Sequence, residues 1–133
     1  MDAPVVAVSS DGKIGAAWMD QRAGGGNRDV QWTMGQRGSL AAEKRVNDDG
    51  DGNQGHPSLV FDGSGTLWCA WEDARKGADK QRIYAADFHT KKNVQVSSDA
   101  EGKCAFPSLA AGGDVLGVAY ETPSGISFRI AGR

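Results

Sequence analysis

No apolar run in this sequence of 133 residues approaches the length of a bilayer-crossing helix, and no basic block forms the footprint that nucleic acid requires. Neither a membrane nor a nucleic-acid partner is therefore expected. Acids and bases are mixed along the chain and leave a formal net charge of -2. The start, Met1-Asp2-Ala3-Pro4, lacks the basic and apolar stretches of a secretory signal, so the chain reads as soluble with no compartment indicated. Cysteine is scarce: Cys69 lies in an apolar run and Cys104 in a loop rich in Gly and Ala. That pair has neither metal-ligand spacing nor the density of a disulfide scaffold, so two reduced thiols are expected. Helical periodicity is missing as well. Apart from the weak stretch Ser39–Lys44, no dozen residues hold apolar positions at helical spacing without a Gly or Pro between them.

What the chain has in abundance is glycine, 19 residues of it, set with Asp, Asn and Ser between short apolar runs. Many tight turns imply many short strands, and the expected class is all-β in a chain of single-domain length. The chain also repeats itself. Slid by 53 positions, Pro4 falls on Pro57, Gly12 on Gly65, Ala17 on Ala70, Trp18 on Trp71, Asp20 on Asp73 and Arg22 on Arg75. An offset of 50 then carries Val46 onto Val96 and Pro57-Ser58-Leu59 onto Pro107-Ser108-Leu109. A third unit follows, with Tyr120-Glu121 where the second has Trp71-Glu72. The units run over 3–55, 56–105 and 106–133.

Each full unit predicts four antiparallel strands. In the second they cover Ser58–Phe61, Leu67–Glu72, Arg82–Ala86 and Val94–Val96. The third supplies counterparts of three, the last at Ile126–Ile130, for eleven strands in all. Runs such as Val5–Val8 and Leu67–Trp71 are apolar on both faces, so both faces must be covered. Four-stranded units stacked about an axis meet that need, and a period of about 50 residues is that of a β-propeller blade. Two full blades and one incomplete blade would leave apolar faces bare at both ends. A homo-oligomer is expected, with a dimer completing a six-bladed ring.

The phrases Ala17-Trp18-Met19-Asp20-Gln21-Arg22 and Ala70-Trp71-Glu72-Asp73-Ala74-Arg75, each followed by a Gly-rich turn and a strand, resemble the sialidase-like propellers that carry BNR repeats. Val46-Asn47-Asp48-Asp49 leading to His56-Pro57-Ser58-Leu59 is similar to the blade-to-blade connection of that superfamily. The family's Asp-box is absent, its place taken by Thr33–Leu40 in the first unit and shortened away in the second. The resemblance implies a carbohydrate-related propeller. Sialidases of this kind use three arginines for the substrate carboxylate, a tyrosine nucleophile with a glutamate, and an aspartic acid as proton donor. Phe128-Arg129-Ile130-Ala131 is similar to the family's Phe-Arg-Ile-Pro stretch without its proline. Tyr120 and Glu121, neighbours on a strand, point to opposite faces and cannot pair. No catalytic set is found.

The candidate ligand-binding residues are Asp20, Arg22, Asp73, Arg75 and Arg129. The first four form a repeated Asp-x-Arg, which reads either as a structural clasp in each blade or as a ring of pairs binding acidic or hydroxyl-rich ligands. Trp18, Trp71, Tyr120, Pro57 and Pro107 are the expected repeat core. Trp32 and Trp68 do not recur, and read either as blade packing or as platforms for a sugar. Asp49, Asp51 and Asn53 have the spacing that opens a calcium loop, but Val60 stands where the bidentate acid would be, so a solvated turn is expected. His56 aligns with Phe106 and reads as a packing position. No cofactor or metal is implied. The functional expectation is a module binding carbohydrate or a protein partner, with a sialidase-type hydrolase assembled from subunits, or a purely structural repeat, as alternatives.

Overall fold

A computed structural model describes residues 4–21 and 26–132. It is all-β apart from two short 3-10 turns at Ala78–Lys80 and Asp99–Glu101, and among the described residues no helix is long and apolar enough to cross a membrane. Three antiparallel sheets follow one another along the chain. Sheet 1 holds β1 (Val5–Val8), β2 (Ile14–Asp20), β3 (Asp29–Gln36), β4 (Ser39–Leu40) and β5 (Lys44–Arg45). Sheet 2 runs β6 (Gln54–Phe61), β7 (Leu67–Asp73), β8 (Arg82–Asp87) and β9 (Val94–Gln95) in order. Sheet 3 is β10 (Ala105–Gly112), β11 (Val115–Thr122) and β12 (Gly125–Gly132). Among the described residues the strands number twelve rather than eleven, because the last strand of sheet 1 reaches β3 in two pieces that pair separately with it.

The repeat sets the local geometry. Gly12 and Gly65 occupy the same place between the first two strands of their sheets, both with positive φ, at 86° and 82°. Each donates its N–H three residues back, to the carbonyls of Ser9 and Asp62. A turn that needs the left-handed region favours glycine there, which explains why both units keep it. The strand after each connection begins with a bulge. The register jumps between Gly55 and Ser58 in β6 and between Ala105 and Ser108 in β10. At that point His56 and Phe106 adopt φ of 47° and 54°, immediately before the buried Pro57 and Pro107. Two non-glycine residues in a left-handed conformation before proline are costly, so packing on both sides must hold them there.

The sheets are joined by two cores. Ala17, Val30, Trp32 and Val46 from the first unit pack on Leu67, Cys69, Trp71, Tyr84 and Ala86 of sheet 2. On its other face, sheet 2 presents Ala70, Ile83 and Ala85 to Val118 and Tyr120 of sheet 3, with Cys104 between them. Cys69 and Cys104 are free and buried, and burial pushes both thiols above their ordinary pKa. The faces turned outward at the two ends are uncovered in the single chain. Val6 and Val8 lie exposed on β1, and Ile126, Phe128 and Ile130 form an exposed row on β12, Ile126 at 72 %. Because Ala17 lies in the core between sheets 1 and 2, its neighbour Trp18 points away from sheet 2 and is only half-buried. Its counterpart Trp71 is fully buried.

Candidate functional site

The repeated Asp-x-Arg of sheet 2 is a closed clasp. Asp73 ends β7, and its Oδ2 accepts hydrogen bonds from Trp71 Nε1 at 2.8 Å and Arg75 Nη2 at 2.8 Å. Its Oδ1 accepts from the Arg75 backbone N–H at 3.0 Å, Arg75 Nε at 2.9 Å and Gln54 Nε2 at 3.3 Å. The Arg75 guanidinium extends to Asp48 Oδ1 at 2.7 Å and Asn93 Oδ1 at 3.0 Å, and lies 4.1 Å from the Tyr84 ring centre. Partial burial disfavours its charge, but the Asp73 and Asp48 carboxylates outweigh that and raise its pKa. Both side chains spend their polar groups inside the molecule, tying the connection after sheet 1 to sheet 2. In sheet 1 the matching bond from Trp18 Nε1 to Asp20 Oδ2 is longer, at 3.4 Å, and Arg22 lies outside the described residues.

Arg129 meets an acid that the sequence did not single out. Its Nη2 donates to Glu101 Oε1 at 2.7 Å, and Tyr120 Oη donates to both oxygens of Glu101 at 2.9 and 3.0 Å. Ser127 Oγ donates to Oε2 at 2.5 Å. The Ser127 hydroxyl, with the Ser98 N–H, Tyr120 and Arg129, holds the Glu101 carboxyl down to about 2 against some desolvation. Burial, reinforced by the Glu101 charge, pushes the Tyr120 phenol up to about 12. A tyrosine, a glutamate and an arginine thus come together, but Tyr120 is 1 % exposed and its hydroxyl is committed to the acid. It cannot reach a substrate in this arrangement.

The remaining candidates are structural in their contacts. Asp49 Oδ1 accepts the Asp51 N–H, and Asn53 Oδ1 accepts the Arg28 N–H, so these residues shape the connection between sheets 1 and 2. Among the described residues no group of three or more His, Cys, Asp or Glu side chains is placed to hold a metal ion. Trp32 is fully buried and cannot serve as a sugar platform. Trp68 is half-buried, its Nε1 donating to Asp62 Oδ2 at 2.9 Å.

A polar cleft opens instead where β6 begins. It has a volume of about 50 Å³ and is lined by Met19, Arg28, Gln54, His56, Glu72 and Gln81, among others. Glu72, buried near the end of β7, accepts from the Phe106 backbone N–H through Oε2 at 2.7 Å, and His56 Nδ1 lies 2.8 Å from its Oε1. His56 also packs edge-on against Phe106, ring centres 4.6 Å apart, and Phe106 is 55 % exposed. One carboxylate therefore supports both bulged, left-handed residues at once, which is the packing their backbone requires. The result is an exposed aromatic ring beside a fixed imidazole and acid, with Arg28 also lining the opening. The sequence signal was the alignment of His56 with Phe106, each before a proline. Their common partner Glu72 was legible only as the residue beside Trp71.

No protein-family model matches the sequence, and no curated protein does either. Among solved structures the fold is similar to that of a thermostable family-43 glycoside hydrolase, with a TM-score of 0.60 at 15 % identity. The match covers 97 % of this chain and 50 % of the hydrolase, so the chain spans half the length of that protein. At such low identity the likeness shows fold alone: an all-β, β-propeller-like arrangement of antiparallel sheets.

Proposed function

We propose that the chain is a carbohydrate-binding β-propeller module of the sialidase-like kind, with its ligand at the His56–Glu72 cleft. The observation that carries this reading is the exposed Phe106 ring standing beside a hydrogen-bonded His56–Glu72 pair. A sugar offers an apolar face to an aromatic ring and hydroxyls to planar donors and acceptors, and Arg28 stands at the same opening. Binding is favoured over hydrolysis because glycoside cleavage calls for two carboxylates about 5 to 10 Å apart. Among the described residues Glu72 is the sole acid lining the cleft, and both its oxygens are engaged.

The two bare end faces are closed in this reading by a second copy of the chain. The Val6, Val8 and Trp18 face of one protomer would meet the Ile126, Phe128 and Ile130 face of the other, as the Trp71 face of sheet 2 meets sheet 1 within the chain. Such a head-to-tail contact closes into a ring when the rotation allows it. Light scattering should return twice the chain mass, and a stable monomer would remove this part of the proposal.

Glycan-array binding tests the rest. His56→Phe keeps the packing seen at Phe106 and should lose glycan binding at least tenfold, as should Glu72→Gln. Glycan binding unaffected by both substitutions would refute the cleft. Release of a fluorogenic sialoside that disappears in Arg129→Ala would favour a sialidase-type hydrolase instead.

A further inference from the structure

The two inter-sheet cores should be alike, since the same repeat builds both, yet one is filled and the other is hollow. Between sheets 1 and 2, Trp32 of β3 packs against Phe88, which follows β8, with ring centres 4.9 Å apart. Strand pairing identifies their counterparts one sheet further on. Trp32 pairs with Ala17 as Ala85 pairs with Ala70, so Ala85 stands in place of Trp32. Phe88 donates its N–H to Leu67, and Leu116, the equivalent of Leu67, pairs with Ala131. Ala131 therefore stands in place of Phe88. Two aromatic rings have become two methyl groups at one location.

The space they would fill remains open. A cavity of about 400 Å³ lies between sheets 2 and 3, bounded by Ala85, Val94, Val96, Leu109, Val118 and Ala131. Trp68 forms a further wall. It is the counterpart of Gly15, so one indole has been moved to the neighbouring strand, where its bond to Asp62 Oδ2 holds it to one side. The cavity is far larger than a water molecule and almost wholly apolar inside. A cleft with such largely apolar walls, open on one side to solvent, favours a hydrocarbon-like guest.

We propose that this inter-sheet cavity is a binding site for a small planar aromatic ligand, of the size of an indole or naphthalene ring. The ligand supplies the ring pair that Ala85 and Ala131 lack and lies against the indole of Trp68. The site is at the far end of β6 from the His56–Glu72 cleft and does not depend on it. A sugar fits less well, because most of the lining is apolar and would leave hydroxyls without partners, although Asp62, Ser64, Asp114 and Arg129 also line the space.

The test is a titration of the full chain with indole, followed by NMR. Saturable binding is expected, with intermolecular NOEs from indole protons to the methyl groups of Ala85, Val94 and Ala131. Ala85→Trp and Ala131→Phe, which rebuild the ring pair, should each weaken indole binding at least tenfold and leave the thermal midpoint unchanged or higher. If Ala85→Trp does not fold, Ala131→Phe and the wild-type NOEs decide. Absence of saturable binding up to the solubility of indole would overturn the proposal. So would NOEs confined to Phe106 or the β12 row, undiminished binding in the variants, or displacement of indole by glucose or sialyllactose at the same methyl groups.

Discussion

The core between sheets 1 and 2 and the core between sheets 2 and 3 are built on one strand pattern and solved in opposite ways. The first is closed by large rings, Trp32 on Phe88 and Trp71 beside Tyr84, and is locked at its edge by the Asp73–Arg75 clasp. In the second, alanines replace the inner rings, and the polar work passes to Glu101, which gathers Tyr120, Ser127 and Arg129. A repeat therefore fixes the course of the backbone without fixing how the space between neighbours is filled. Volume and charge can be redistributed across an interface as long as the strands keep their register.

The largest break in the comparison should come from making the first core resemble the second. Trp32→Ala removes a fully buried indole and should cost about 4 kcal/mol of stability in a denaturant melt, since rigid surroundings cannot collapse into the space. A loss below about 1 kcal/mol would mean that the first core is as loosely filled as the second. Asp73→Ala should cost about 3 kcal/mol, because it leaves the buried Trp71 Nε1 without its acceptor and takes from Arg75 the carboxylate bound by its Nε and Nη2, although Asp48 and Asn93 still hold the guanidinium. The same change at Asp20 should cost less, given the longer bond to Trp18.

In the second core, Glu101→Gln should cost about 2 kcal/mol at neutral pH through weakened charge-assisted bonds. Its pH dependence has a definite sign. Glu101 has a folded pKa of about 2, below the ordinary glutamate value of 4.5, so its stabilisation is complete above about pH 4.5. The gap between wild type and Glu101→Gln should shrink as pH falls from there toward 2. A gap independent of pH over that range would show that the carboxylate is not held by these donors. Tyr120→Phe should have the smallest effect, about 1 kcal/mol, the net worth of one hydrogen-bonding group.

Much of this is legible in the amino-acid sequence itself. The offset that lays Trp18 on Trp71 and Gly12 on Gly65 already placed the turns, the strand order and the residues facing each other across sheets. It even laid Trp32 on Ala85, the first half of the cavity. The second half, Phe88 on Ala131, could not be read that way, because the shortened turn at Thr122–Gly125 changes the offset and only the pairing of Leu116 with Ala131 restores it. The Glu101 cluster was hidden for a similar reason: Arg129 lies 28 positions away and is brought in by a strand that crosses back over Tyr120.

Periodic glycines, doubly apolar strands and recurring tryptophans by themselves determined an all-β chain of repeated antiparallel sheets, because turn geometry and side-chain alternation act over a few residues. Which acid meets which base, that His56 and Phe106 share Glu72, and that one inter-sheet space is packed while the next is open were decided only by the tertiary structure. Those outcomes depend on the volumes and charges that two separate sheets bring to a common boundary, a sum that no single segment contains.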